Sequence, residues 1–164
     1  MDEAHPLSTP MVVRSLDVEK DQFRPKEDDE EFLGPEVPYL SAIGSLMYLA
    51  NCTRPDIEFS INLLERYSSA PTCRHCNGVK NVFHYLCGTI DMGLFYPNGS
   101  KSPLIGYADA GYLSDPHKAR FQTSYLFTSG NSVVSWRSMK QTMVATSSNH
   151  SEILVIHKAS CECI

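Results

Sequence analysis

Two acidic residues in the second half of the chain stand where a divalent metal ion could be held. Asp109 lies in an apolar run that alternates like a β-strand, and Glu152 lies one turn inside the helix predicted after it. Carboxylates from a strand and a nearby helix can share Mg²⁺, which prefers hard oxygen ligands. A two-metal nuclease needs about three or four such groups. The pair therefore predicts at most a weak magnesium site, and a single Asp with a single Glu is more often two surface groups.

The cysteines offer a second constellation. Cys73 and Cys76 have the C-x2-C spacing, and Cys161 and Cys163 lie far downstream. A zinc site would need all four thiolates in one tetrahedral arrangement. The C-x-C spacing of the second pair, near the end of the sequence, favours ordinary reduced thiols instead. His150 suggests acid–base chemistry, but neither a nucleophile nor an oxyanion site accompanies it in the sequence.

The composition excludes several classes of protein. The chain has 164 residues and a formal net charge of −5, which rules out a globally basic nucleic-acid binder and makes nucleic acid an unexpected partner. No apolar run approaches the roughly 20 residues that span a bilayer. The N-terminus lacks the basic start and apolar segment of a standard signal peptide. We therefore expect a cytoplasmic or nuclear protein that does not bind membranes.

Three stretches with different patterns must position these residues, and together they predict an α+β fold. Residues 1–36 combine prolines with an unbroken acidic run from Glu27 to Glu31, so we expect a disordered acidic arm. Residues 37–90 show helical spacing. Residues 91–164 change to strand alternation and end in one helix.

The helical stretch divides into three predicted helices. The first covers about 39–51, the second is capped by Thr53 with Pro55 in its first turn, and the third covers about 72–88. Their apolar stripes are expected to be buried. These stripes are Leu40, Ile43, Met47 and Ala50, then Ile57, Ile61 and Leu64, and then Cys76, Val79, Phe83 and Leu86.

The alternating stretch predicts short strands at 93–96 and 104–110, with a turn at 97–100 between them. The second strand puts Ile105, Tyr107 and Asp109 on one face. A further pair of strands, 124–128 and 132–136, is expected to form a hairpin around Ser129-Gly130-Asn131. The last helix, 148–162, is expected to bury Ile153, Val155 and Ile156.

Several blocks of sequence resemble the copia-type retrotransposon polyprotein and occur in that family's order. They are Pro38 to Leu49, Thr53-Arg54-Pro55-Asp56-Ile57, His84 to Thr89, Gly106-Tyr107-Ala108-Asp109-Ala110, Ser135 to Gln141 and Ala145 to Glu152. The resemblance implies a reverse-transcriptase thumb or connection at 37–90. It implies a truncated ribonuclease H domain at 91–164, with three antiparallel strands and one helix. Asp109 and Glu152 match the first two metal-binding carboxylates of that domain.

Departures from the family pattern predict that the chain is catalytically incompetent and not an enzyme. The resemblance places the polymerase aspartates upstream of Met1 and a third ribonuclease H carboxylate beyond Ile164. Gly111 stands where the family often has a second Asp. Without the third and fourth carboxylates we expect no cofactor beyond a vestigial magnesium site. The family's fourth strand would pair with the first, so we expect an open edge at 104–110 that favours self-association or a partner strand.

The N-terminal arm is similar to a second family, the oomycete RxLR-dEER secreted effectors. The resemblance rests on Arg14, Ser15, Leu16 and Asp17, followed by Glu27, Asp28, Asp29, Glu30 and Glu31. Such effectors enter plant cells and commonly suppress defence-linked cell death. The resemblance implies secretion, delivery into the host plant cell and an unknown host protein as partner. A decayed transposon fragment and an acquired effector are thus the two hypotheses, and one chain could be both.

Overall fold

The computed structural model describes residues 5–11, 21, 23–24, 30–98, 102–115, 120–141 and 145–163. Within these ranges the fold is α+β, as predicted, with four α-helices and one antiparallel sheet of three strands. The chain divides into two compact units, which we call the helical unit (1–93) and the sheet unit (94–164). None of the helices described is long and apolar enough to cross a membrane.

The helical unit is built from α1 (Tyr39–Cys52), a 3-10 turn (Pro55–Ile57), α2 (Glu58–Glu65) and α3 (Cys73–Gly88). Its core is one hydrophobic cluster that joins all three helices. The Tyr39 hydroxyl anchors α1 to α2 by donating a hydrogen bond of 2.8 Å to the Leu64 carbonyl. Burial raises the pKa of Tyr39 well above its ordinary value, so this donor keeps its proton.

Two predicted details of α1 and α2 are wrong. Ile43 and Ala50 of the predicted stripe are buried, but Leu40 is 68% exposed and Met47 is only partly buried. The helix also buries Tyr39 and Leu46. The Tyr39 hydrogen bond requires that residue to face inward, which turns its neighbour Leu40 to solvent. Thr53 does not cap the second helix. Its N–H bonds to the Leu49 carbonyl and closes α1, and Pro55 then begins the 3-10 turn.

The third helix buries only part of its predicted stripe. Val79 is buried as predicted, Cys76, Phe83 and Leu86 are only partly buried, and His75 and Val82 are fully buried. Thr72 and His75 form a capping box in which the His75 ring accepts the Thr72 N–H at 3.0 Å. The same ring stacks on Tyr67 with a centroid separation of 4.0 Å. These two contacts draw His75 into the core.

The sheet unit contains β1 (Leu104–Asp115), β2 (Arg120–Ser129), β3 (Ser132–Lys140) and α4 (Ser148–Glu162). The strands lie in the order β1-β2-β3 and are longer than predicted. The predicted hairpin between β2 and β3 is confirmed. Gly130 has a φ of 62°, the left-handed conformation that this tight turn requires.

No strand forms at 93–96, so that prediction is wrong. Side-chain hydrogen bonds hold this segment against the start of β3 instead of a backbone ladder. The Tyr96 hydroxyl donates to the Val133 carbonyl at 2.8 Å, and the Ser132 hydroxyl donates to the Phe95 carbonyl. Of the predicted turn after it, residues 99 and 100 lie outside the described residues.

One face of the sheet is covered by α4. Val155 is fully buried and packs with Ala110 and Ala145, and Ala159 packs on Tyr125 and Phe127. The expectation that Ile153 and Ile156 would be buried is wrong, since they are 65% and 57% exposed. The helix approaches β1 through small residues, and it is the series Ser151, Val155 and Ala159, four residues apart, that faces the sheet.

The buried imidazole generates a prediction about stability against pH. Burial, assisted by the positive charge of Arg74, lowers the pKa of His75 from 6.5 to about 4. Between these two values the unfolded chain takes up a proton that the folded chain does not. The free energy of unfolding should therefore decrease as the pH falls from 6.5 toward 4, by up to about 3 kcal/mol from this group.

The matched variant is His75→Gln, whose side-chain oxygen can still accept the Thr72 N–H but does not titrate. Urea unfolding of both chains should be measured at neutral pH and near pH 4. We expect the wild type to lose more stability on acidification than the variant. An equal loss in the two chains would show that His75 is not the group responsible.

Candidate functional site

The first candidate carboxylate, Asp109, lies in the middle of β1 and is exposed. It is opposite Ser124 of β2, in a ladder that runs without a break from Leu104 to Gly111. Side chains alternate across a regular strand, so Asp109 shares its face with Ile105 and Tyr107, as predicted. Both of those side chains are also exposed.

The helix that carries the second carboxylate covers the opposite face. Ala110 packs against Val155 of α4, and Gly106 and Ala108, which share its face of β1, line a groove beside the helix. Across the ladder these three residues of β1 stand opposite Thr123, Phe127 and Tyr125, respectively, which are buried. Asp109 therefore lies on the face of the sheet that α4 does not cover, and its own side chain is exposed.

Glu152 lies in the second turn of α4 and is exposed. The helix begins at Ser147, whose side chain accepts the His150 N–H at 3.2 Å, and the His150 ring lies 3.2 Å from the Thr146 hydroxyl. Glu152 is flanked by the buried Ser151, so it sits at the rim of the helix–sheet contact. Asp109 thus lies on the face that α4 does not cover, while Glu152 is exposed on α4 itself, and a metal shared between them stays a prediction.

Other metal-ligating residues are dispersed. The part of the chain that the structure describes contains no group of three or more His, Cys, Asp or Glu side chains able to hold a metal ion. The six cysteines are free, with Cys73 and Cys76 in the helical unit and Cys161 and Cys163 in the sheet unit. The Cys161 sulfur lies 3.9 Å from Nδ1 of His157, one helical turn before it.

The effector-like motif falls mostly outside the described residues. Those outside are Arg14, Ser15, Leu16, Asp17, Glu27, Asp28 and Asp29. Glu31 is exposed. The Glu30 carboxylate forms a two-pronged ion pair with the Arg74 guanidinium on α3. The end of the acidic run is therefore tied to the helical unit.

The most extensive polar cluster in the described residues joins Arg54 and Asp56 to Tyr85 and Thr89. This cluster was not predicted from the sequence. Arg54 donates to the Asp56 carboxylate at 2.7 Å and to the Thr89 hydroxyl at 2.7 Å. The Tyr85 hydroxyl donates to the same Asp56 oxygen at 2.7 Å. The spacing Thr53-Arg54-Pro55-Asp56 signals the local ion pair, but nothing local signals the partners on α3, about 30 residues away.

Electrostatics fix the charge states in this cluster. Burial alone would raise the pKa of Asp56, but hydrogen bonds from Arg54 and Tyr85 outweigh it and hold that pKa below its ordinary value. The Asp56 hydrogen bond likewise raises the pKa of Arg54. The cluster joins the turn before α2 to the end of α3. All its polar atoms are directed at one another, so it is a structural clamp.

Comparison with known proteins gives relatives of two kinds. A chain from Plasmopara viticola called secreted RxLR effector protein 161 is 38% identical over 128 residues, covering 78% of this chain and 90% of the relative. The retrovirus-related Pol polyprotein from transposon TNT 1-94 of Nicotiana tabacum is 36% identical over 164 residues. The Pol polyprotein from transposon RE2 of Arabidopsis thaliana is 37% identical over 124 residues.

The lengths of these relatives differ greatly. All of this chain aligns with 12% of the TNT 1-94 polyprotein, and 76% of it aligns with 8% of the RE2 polyprotein. The chain therefore spans about a tenth of the Pol polyproteins that it matches. No protein-family model matches the chain. No solved structure matches it significantly.

The clamp generates a prediction about stability. Asp56→Asn keeps the shape of the side chain but leaves the Arg54 guanidinium, with 10% of its side chain exposed, without its counter-charge. We expect the free energy of unfolding to fall by roughly 1.5–3 kcal/mol. Tyr85→Phe removes a single hydrogen bond and should cost about 1 kcal/mol. Both can be measured by urea unfolding at neutral pH.

The matched control is Asp91→Asn, which removes the same charge from an exposed position in the same unit. It should leave stability within about 0.5 kcal/mol of the wild type. The Asp56 contribution should also be lost on acidification, because a carboxyl with a lowered folded pKa stabilises only while it is ionised. An Asp56→Asn chain as stable as the Asp91→Asn chain would contradict the clamp.

Proposed function

We propose that this chain, which is similar to retrotransposon Pol polyproteins and to a secreted RxLR effector of Plasmopara viticola, is a transposon-derived protein without nuclease or polymerase activity. The helical unit then corresponds to a reverse-transcriptase thumb or connection. The sheet unit corresponds to the first half of a ribonuclease H domain, with vestigial metal ligands at Asp109 and Glu152. Such a protein is expected in the cytoplasm or nucleus.

The observation that carries the proposal is the position of Asp109. A metal-dependent nuclease converges its carboxylates on one or two ions about 4 Å apart. Here Asp109 lies on the sheet face opposite α4, while Glu152 is exposed on α4 itself. This placement does not favour a single ion shared by the two carboxylates. Turning β1 over in its ladder would expose Ala110 and bring the Asp109 charge under the buried Val155, so that alternative is unfavourable.

A nuclease assay tests this proposal. The purified chain should be incubated with a labelled RNA–DNA hybrid, with Mg²⁺ and separately with Mn²⁺. We expect no cleavage above that given by the double variant Asp109→Asn, Glu152→Gln prepared in parallel. The variant controls for host nuclease carried through purification, because a contaminant would cleave equally in both samples.

Metal binding should be followed in the same samples by the thermal midpoint of unfolding. We expect Mg²⁺ to shift the midpoint of the chain and of the double variant equally, since neither holds a specific ion. Metal-dependent cleavage that the double substitution abolishes would overturn the proposal. So would a magnesium-dependent stabilisation seen in the wild type alone.

A second candidate function is that of an effector acting inside plant cells. The observation that favours it is the relative from Plasmopara viticola, 90% of whose length aligns with this chain and whose name describes a secreted RxLR effector. On this hypothesis the protein is secreted, enters the host plant cell, binds a host protein and suppresses defence-linked cell death. Arg14, Leu16 and the acidic run to Glu31 would serve delivery, and the folded units would serve binding.

The effector hypothesis predicts an activity that does not depend on the old metal site. The chain should be expressed transiently in plant leaf cells together with an elicitor of cell death, and lesion area should be scored. We expect suppression by both the wild type and the Asp109→Asn, Glu152→Gln variant if the chain is a binding effector. Full cell death despite accumulation of the protein would count against the effector function and leave the transposon fragment alone.

A further inference from the structure

Among the described residues, one long edge of the sheet has no partner strand. In the described part of the sheet unit, β1 pairs with β2 alone, and this pairing is regular over eight residues, from Leu104 to Gly111. The other edge of β1 therefore presents a row of backbone N–H and C=O groups that can accept another strand. We propose that this edge pairs antiparallel with the β1 edge of a second copy of the chain, which makes one sheet of six strands.

The opposite edge of the sheet differs in two ways. The segment carrying Phe95 and Tyr96 lies against the start of β3 and bonds to Ser132 and to the Val133 carbonyl. Farther along, β3 carries Arg137 and Lys140, and cationic side chains on an edge strand oppose the addition of a further strand. The eight regularly paired residues from Leu104 to Gly111 contain no cation and a single charge, that of Asp109. Of the two edges, β1 is the one open to pairing.

The sequence of β1 fits a second copy of itself. Antiparallel pairing of one edge with the same edge forms a closed two-fold contact, the commonest symmetry of protein dimers. If Tyr107 stands opposite Tyr107 of the second copy, then Asp109 stands opposite Ile105. The two carboxylates are thus kept apart, and the two tyrosine rings form the kind of cross-strand aromatic pair that stabilises sheets.

Apolar surface beside this edge supports the same occupant. A groove of about 340 Å³ runs between β1 and α4, lined by Gly106, Tyr107, Ala108, Phe127, Ile156 and Ala159 among others. Gly106 is required beneath the Phe127 ring, because a Cβ there would lie 2.6 Å from the ring edge. Pairing about a two-fold axis keeps both α4 helices on one face of the joined sheet. The exposed Ile156 of each copy then flanks the new strand.

The test is the mass of the full chain in solution. Sedimentation equilibrium over a wide range of concentrations should show a monomer–dimer equilibrium. Tyr107→Lys places a like charge beside the two-fold axis and should weaken dimerisation roughly tenfold or more. Tyr107 is 57% exposed, so the variant should fold. Circular dichroism verifies that it does.

The matched control is Val134→Lys, which adds the same charge at a side chain on β3 that is 43% exposed. It should dimerise like the wild type. Hydrogen exchange on the wild type gives a second readout, because the amides of 104–111 should be more protected at high concentration than at low. A wild-type chain that is monomeric at every concentration would overturn the proposal. So would a dimer that Tyr107→Lys leaves unchanged.

Discussion

The packing of α4 on the small residues of β1 is the constraint on which the sheet unit depends. Ala110 lies under the fully buried Val155, and Gly106 lies under the Phe127 ring. Because side chains alternate along a strand, the residues between these positions must lie on the opposite face of the sheet. Asp109 must face solvent for the same reason that Ala110 must not. The packing of α4 on β1 thus determines which residues form the core, which face of the sheet Asp109 lies on and which residues of β1 are exposed.

The arrangement of the helices in the helical unit depends on buried polar contacts as well as on its hydrophobic core. Arg54 and Asp56 join the turn before α2 to the end of α3, and His75 is held neutral inside the core by burial. Polar groups in such places cost desolvation energy unless each is paired in good geometry. Their benefit is orientation, because directional bonds fix how α3 meets the preceding turn while apolar contacts alone would permit sliding. Both groups make this unit sensitive to acid.

Sequence patterns were enough to predict the helices, the hairpin and the α+β class, because these follow from local spacing and turn chemistry. Leu40 and Ile156 show the limit of that reasoning. Each fits an apolar stripe, yet each is exposed, since the buried side of a helix is chosen by long-range contacts such as the Tyr39–Leu64 hydrogen bond or the approach of Ala159 to the sheet. The segment 93–96 does not form the predicted strand, because side-chain hydrogen bonds from Tyr96 and Ser132 hold it against β3. An alternating sequence pattern does not predict such bonds.

The candidate site also shows that local sequence patterns do not predict which faces of the elements pack together. Spacing and resemblance select Asp109 and Glu152, and alternation along β1 was read correctly, but neither says on which face the next helix packs. That choice puts Asp109 on the face of β1 that α4 does not cover, and it leaves the free edge of β1 in the described residues able to form further backbone hydrogen bonds. If two β1 edges meet, the edges that remain are those of β3, which carry Arg137 and Lys140 and are partly covered at Val133. Cationic, covered edges resist further addition of strands, so the pairing ends at two copies and does not extend into a fibre.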